Sequence, residues 1–85
     1  MKTFSDIKRK LVEGNSVTMI RHDWFPTGKL IGLERKVIKR QSNAVQFDGG
    51  SWLRLDKPAS DYIPTSENTF LARLDGDKFM EYKIN

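Results

Sequence analysis

After Gly14 the apolar residues of this chain stop recurring every third or fourth position and begin to alternate, and this change of period constrains the fold more than any other feature. Ahead of it, Phe4, Ile7, Leu11 and Val12 fall on one helical face, leaving Asp6, Lys8, Arg9, Lys10 and Glu13 for water. The spacing predicts one amphipathic helix over about 4–13. Thr3 can accept from an amide of the first turn, Asp6 stands three residues on as in a capping box, and Gly14-Asn15 supplies the stop.

Beyond Gly14 the period is that of strands. Val17-Thr18-Met19-Ile20 forms the first run, and Lys29 to Arg40 the second. In the second, Ile31, Leu33 and Val37 share a face that Arg35 interrupts. Gly32 marks a bend or bulge, so one long curved strand is expected. Ser42-Asn43 and Asp48-Gly49-Gly50 are turn chemistry, so Ala44 to Phe47 and Ser51 to Leu55 should pair as a hairpin. Its apolar residues are Val45, Phe47, Trp52 and Leu53, with Trp52 assigned to the core. Residues 56–68 hold two prolines among polar residues, which predicts an irregular connection that Tyr62-Ile63 pins to the core.

The last hairpin, Thr69 to Leu74 with Lys78 to Ile84, turns about Asp75-Gly76-Asp77 and admits two registers. A two-residue Asp75-Gly76 loop sets Ala72 opposite Phe79 and Phe70 opposite Glu81. A three-residue loop ending at Gly76 sets Leu71 opposite Phe79 and Phe70 opposite Met80. The second pairs more apolar surface and gives the glycine the left-handed position, so it is preferred. The expected architecture is one α+β domain over 1–85: an N-terminal helix on a curved five- or six-stranded antiparallel sheet, of which an SH3-like small barrel is the closed form.

A chain of 85 residues buries only about 60–65% of its unfolded surface, so it has one modest core. It contains no cysteine, which removes disulfides and thiolate zinc ligation and suits a reducing compartment. Met1 to Asp6 lacks the apolar stretch of a signal peptide, and no window approaches the roughly 18 apolar residues of a membrane span. The expectation is a cytoplasmic protein with no membrane partner. Charge divides unevenly: residues 1–40 carry 10 Lys/Arg against 4 Asp/Glu, and residues 41–85 carry 5 against 7. The basic half is therefore where an anionic partner would meet the chain.

Catalytic and metal chemistry find little support. His22 is the only histidine, and with Asp23 alone it cannot complete a zinc site, so no metal is expected. Nor does adjacency to Asp23 make it a general base, and it reads as a strand-end residue. None of the glycines has the spacing or the strand-to-helix context of a phosphate cradle, so no cofactor is expected. The expectation is a protein that binds rather than catalyses.

Two features carry that expectation. The first is Arg35-Lys36-Val37-Ile38-Lys39-Arg40, in which strict alternation would send Lys36, Ile38 and Arg40 one way and Arg35, Val37 and Lys39 the other. Such a strand suits a sheet edge protected against aggregation, or a cationic surface joined by Lys29, Arg21 and the helix residues Lys8, Arg9 and Lys10. The second is His22-Asp23-Trp24-Phe25-Pro26-Thr27-Gly28, where two large aromatics sit in a connection. Either the rings fold back to plug the open end of the sheet, or Trp24 and Phe25 are anchors for a protein pocket or a nucleic-acid base. The candidate partner-binding residues are thus Lys8, Arg21, Trp24, Phe25, Lys29, Arg35, Lys36, Lys39 and Arg40, and the candidate partners are a host protein or nucleic acid.

Met19-Ile20-Arg21-His22-Asp23-Trp24, followed by Gly32, Arg35-Lys36-Val37, Gln41-Ser42-Asn43 and Ser51-Trp52-Leu53, resembles a group of small uncharacterised proteins encoded by phages and prophages of Gram-positive bacteria. The likeness spans residues 4–55 and fades through the following connection. It implies a bacterial cytoplasm as the setting and assigns no residue a role.

Overall fold

The computed structural model describes residues 1–85. Helix α1 covers Phe4–Lys10, and both halves of the capping box are present. The Thr3 hydroxyl accepts from the Asp6 amide at 3.3 Å, and Asp6 Oδ2 accepts from the Lys2 and Thr3 amides at 2.9 and 3.2 Å. These bonds, joined by Arg9, hold the Asp6 carboxyl down at about 2. Thr3→Ala is expected to lower stability by about 1 kcal/mol, read as a lower urea midpoint at unchanged slope.

The helix ends three residues before the sequence pattern does. Leu11 leaves helical backbone as the C-cap, and the Asn15 amide side chain caps the Lys10 carbonyl at 2.7 Å. Val12, assigned by spacing to the apolar face, is exposed, whereas Ile7 and Leu11 are fully buried. Phe4 stacks on Tyr62 with ring centroids 4.1 Å apart, which fixes the helix against the sheet.

Seven strands follow: β1 Ser16–His22, β2 Glu34–Arg40, β3 Ala44–Phe47, β4 Trp52–Arg54, β5 Tyr62–Pro64, β6 Thr69–Asp75 and β7 Lys78–Ile84. They form one antiparallel sheet in the order β4-β3-β2-β1-β7-β6-β5. A curved antiparallel sheet with a single α-helix is thus what the chain builds, with seven strands in place of the expected five or six. The additional strand is β5, which lies within the connection read as irregular. Of the two residues expected to pin that segment, Tyr62 is buried and pairs with Ala72, whereas Ile63 points outward and is exposed.

Two bulges roll the sheet. One falls between Met19 and Arg21 on β1, the other between Val37 and Lys39 on β2. The first half of β2 pairs with β1 and the second half with β3, so the strand passes from one side of the roll to the other. The expected strand start at Lys29 is too early, because residues 29–32 form turns and Gly32 has a φ of +84°. Only Glu34 onward is strand, and it lies in the interior of the sheet order rather than at an edge.

The β6–β7 hairpin adopts neither anticipated register. Asp75 pairs with Lys78 around Gly76-Asp77, and a bulge between Arg73 and Asp75 absorbs one residue. Phe70 therefore faces Tyr82 and Ala72 faces Met80. This register sets Phe70 and Tyr82 together in the core, ring centroids 5.6 Å apart. Both rings belong to one buried cluster with Ile7, Leu11, Val17, Val37, Val45, Leu53 and Ile84.

Candidate binding surface

The loop after β1 is locked at its root. Asp23 Oδ1 and Oδ2 accept from the Arg21 guanidinium at 2.7 and 2.8 Å, and Oδ2 also accepts from the Phe79 amide at 2.9 Å. The Asp23 amide donates in return to the Phe79 carbonyl at 2.9 Å, which ties the loop to the start of β7. Next to it, the Phe25 amide donates to both the carbonyl and Nδ1 of His22, at 3.2 and 3.3 Å. His22 is the one buried polar residue, 7% exposed, and its ring lies 5.1 Å from that of Phe25 and 6.3 Å from that of Trp24. It does end a strand, and it holds the loop from below.

Above this root Trp24 is 51% and Phe25 57% exposed, so neither ring is a plug buried in the core. An exposed aromatic on a mobile tip would lose conformational freedom on binding, whereas these two start from a fixed backbone.

The Arg21 fork and then the Phe79 amide hold the Asp23 carboxyl down at about 2. A depressed carboxyl keeps its lock at every pH above the ordinary value near 3.9 and loses it as pH falls toward 2. In a Trp52→Phe protein, Trp24 fluorescence anisotropy is therefore expected to stay constant from neutral pH to about 4 and to fall only below that. A fall already between about pH 6 and 5 would assign the lock to another group.

Two apolar hollows adjoin the loop. One, of about 270 Å³, is lined by Trp24, Trp52, Leu53, Tyr62, Leu74 and Met80 among others. The second, of about 220 Å³, is lined by Val17, Met19, Leu30, Leu33, Phe47 and again Trp52 and Met80, with His22 and Arg35 supplying polar atoms. No residue of α1 borders either. Trp52, assigned by its strand position to the core, is 46% exposed instead. It opens a three-residue edge strand, where one side has no neighbouring strand to bury it.

Of the residues singled out from sequence, Trp24 and Arg35 border these hollows, and Phe25 and Arg21 stand at the loop root. Lys29 is exposed in the loop. Lys36 lies beside Ser16 at the far end of β1. The β2 bulge breaks the expected alternation. Lys39 pairs with Gln46 and Arg40 with the buried Val45, so Lys36, Ile38 and Lys39 share the outer face and Arg40 turns toward the inner one. Lys8 stands apart on α1, its ammonium 4.8 Å above the Phe4 ring. Arg21 is neutralised by Asp23, whereas Lys8, Lys29, Arg35, Lys36, Lys39 and Arg40 have no carboxylate partner.

Sequence reasoning missed Trp52, Leu30 and Leu33 as surface, and Met80 as a half-buried residue that packs on the core while bordering both hollows. The available signal was the brevity of the apolar run after Gly49-Gly50, which fits an edge strand better than a central one. No group of three or more His, Cys, Asp or Glu side chains is placed to hold a metal ion, and no helix is long and apolar enough to cross a membrane. Neither a family model, a curated protein nor a solved structure matches the chain.

Proposed function

We propose that this protein acts without catalysis, as a small module that docks on a protein partner through Trp24 and Phe25. The observation that supports this most is the pairing of exposure with restraint. Both rings are more than half exposed, yet the backbone beneath them is fastened by Asp23 and His22. Large aromatics held in this way are the residue type that dominates association energetics, and the adjoining hollows can receive apolar side chains in return. The cations of β2 add long-range attraction for an acidic partner surface. The setting we propose is that of a phage- or prophage-type accessory protein in a bacterial cytoplasm.

The test is capture from a bacterial lysate on immobilised wild type beside Trp24→Ala. A polypeptide held by wild type and by Lys8→Ala but lost with Trp24→Ala supports the reading. Identical recovery on all three contradicts it.

One observation favours a second reading, nucleic-acid binding. Lys36 and Lys39 share the outer face of β2 without carboxylate partners and could hold phosphates, while Trp24 would stack on a base. Oligonucleotide affinity would then fall steeply with salt and drop equally for all sequences in Arg35→Ala/Lys36→Ala. Absence of any shift at low salt removes this reading.

A further inference from the structure

The 270 Å³ hollow is bordered by all three residues of β4 and by Tyr62, Ala72, Arg73 and Leu74, which belong to β5 and β6. Those strands lie at opposite ends of the sheet order. A hollow lined by both can only be the seam where the rolled sheet fails to close. No ladder joins β4 to β5 or β6 there, and side chains bridge the gap instead. Tyr62 Oη donates to the Arg54 carbonyl at 2.7 Å, and Lys57 Nζ donates to the Arg73 carbonyl at 3.2 Å.

The backbone of β4 shows which groups face the seam. The Ser51 carbonyl accepts from Phe47 at 2.8 Å and the Leu55 amide donates to Asn43 at 2.7 Å, so the main-chain groups of 51, 53 and 55 face β3. Those of Trp52 and Arg54 therefore face away from it. The Arg54 carbonyl meets Tyr62, which leaves the Trp52 amide, the Trp52 carbonyl and the Arg54 amide open on an edge beside an apolar hollow. Around the two hollows the cations outnumber the carboxylates that reach them. Arg35, Arg54, Lys57 and Arg73 line the two hollows and no carboxylate does. Arg54 and Arg73 are held by Asp56 and Asp61, while Arg35 and Lys57 donate only to main-chain carbonyls.

We propose that this seam accepts an extended, acidic segment of a partner protein as an added strand on the free edge of β4. The proposal rests on the docking reading above and adds the partner's chemistry. The added strand would take its backbone bonds from Trp52 and Arg54, direct alternate apolar side chains into the hollows, and set its acidic residues against Lys57 at the seam and Arg35 in the adjoining hollow.

The test uses the ¹⁵N-labelled full chain and capped heptapeptides alternating leucine with glutamate, or leucine with lysine. Two further versions of the glutamate peptide are N-methylated on alternate residues, one in each phase. The glutamate peptide is expected to shift the Trp52 and Arg54 amide signals, with the lysine peptide at least about tenfold weaker. One N-methylated phase is expected to lose about tenfold or more and the other to bind like the parent, because only alternate amides of an added strand face its neighbour. Equal affinity of the two phases, or unmoved Trp52 and Arg54 signals at about 1 mM peptide, overturns strand addition. If the peptides fail while Trp24→Ala still releases the captured partner, the docking reading stands without it. If capture is also insensitive to Trp24→Ala, both fall.

Discussion

Phe70→Ala is expected to destabilise the fold by about 3–5 kcal/mol, the range for removing a buried aromatic. Phe70 is 0% exposed and faces Tyr82 across the β6–β7 ladder. Tyr82 in turn lies 5.9 Å from Phe47 on β3, so the Phe70 ring supports the contact between the two halves of the roll. Deep burial also pushes the Tyr82 hydroxyl up to about 12, since ionising it would place a charge in that core. Small domains have only about 5–15 kcal/mol in total, so this one substitution removes a large part of it. Urea unfolding of the variant beside wild type measures the loss. A change below about 1 kcal/mol would mean that the core is centred elsewhere.

Trp24→Ala is expected to weaken partner binding about 30-fold or more, a loss of about 2 kcal/mol typical of an aromatic anchor. Fold stability should move by no more than about 0.5 kcal/mol, because the ring is half outside the core and the loop is fastened by its neighbours. Ile63→Ala is the matching control. Ile63 is also an exposed apolar residue, but it lies on β5 and borders neither hollow. Titration calorimetry with the captured partner should give the Trp24 loss and leave Ile63→Ala within about threefold of wild type. Equal losses from the two variants would point to non-specific adhesion of apolar surface.

Where local chemistry determines conformation, the sequence was legible. The Thr3–Asp6 box, the Gly49-Gly50 turn and the hairpin that it closes between Ala44–Phe47 and the strand after it follow from residue types a few positions apart. What misled was tertiary. Nothing local distinguishes Ile31 and Leu33 in a turn from the same residues in a strand, since Gly32 permits both. The Val37/Lys39 bulge is invisible to strict alternation, and it moved Lys39 and Arg40 to faces opposite those expected. The hairpin register was settled by the Phe70–Tyr82 contact, which no turn rule contains. Trp24 and Phe25 could be flagged as a pair with two outcomes open. Their exposure depends on Asp23 reaching Phe79, 56 positions along the chain.

Iodide quenching and anisotropy of the Trp52→Phe protein report whether the Trp24 indole is exposed and stands on a rigid root. The expected result is red-shifted Trp24 emission, ready quenching by iodide and an anisotropy decay that follows tumbling of the whole domain. Blue-shifted, protected emission would show the ring folded inward, and rapid local depolarisation would show a loose tip. Either result would rule out Trp24 as a pre-positioned anchor.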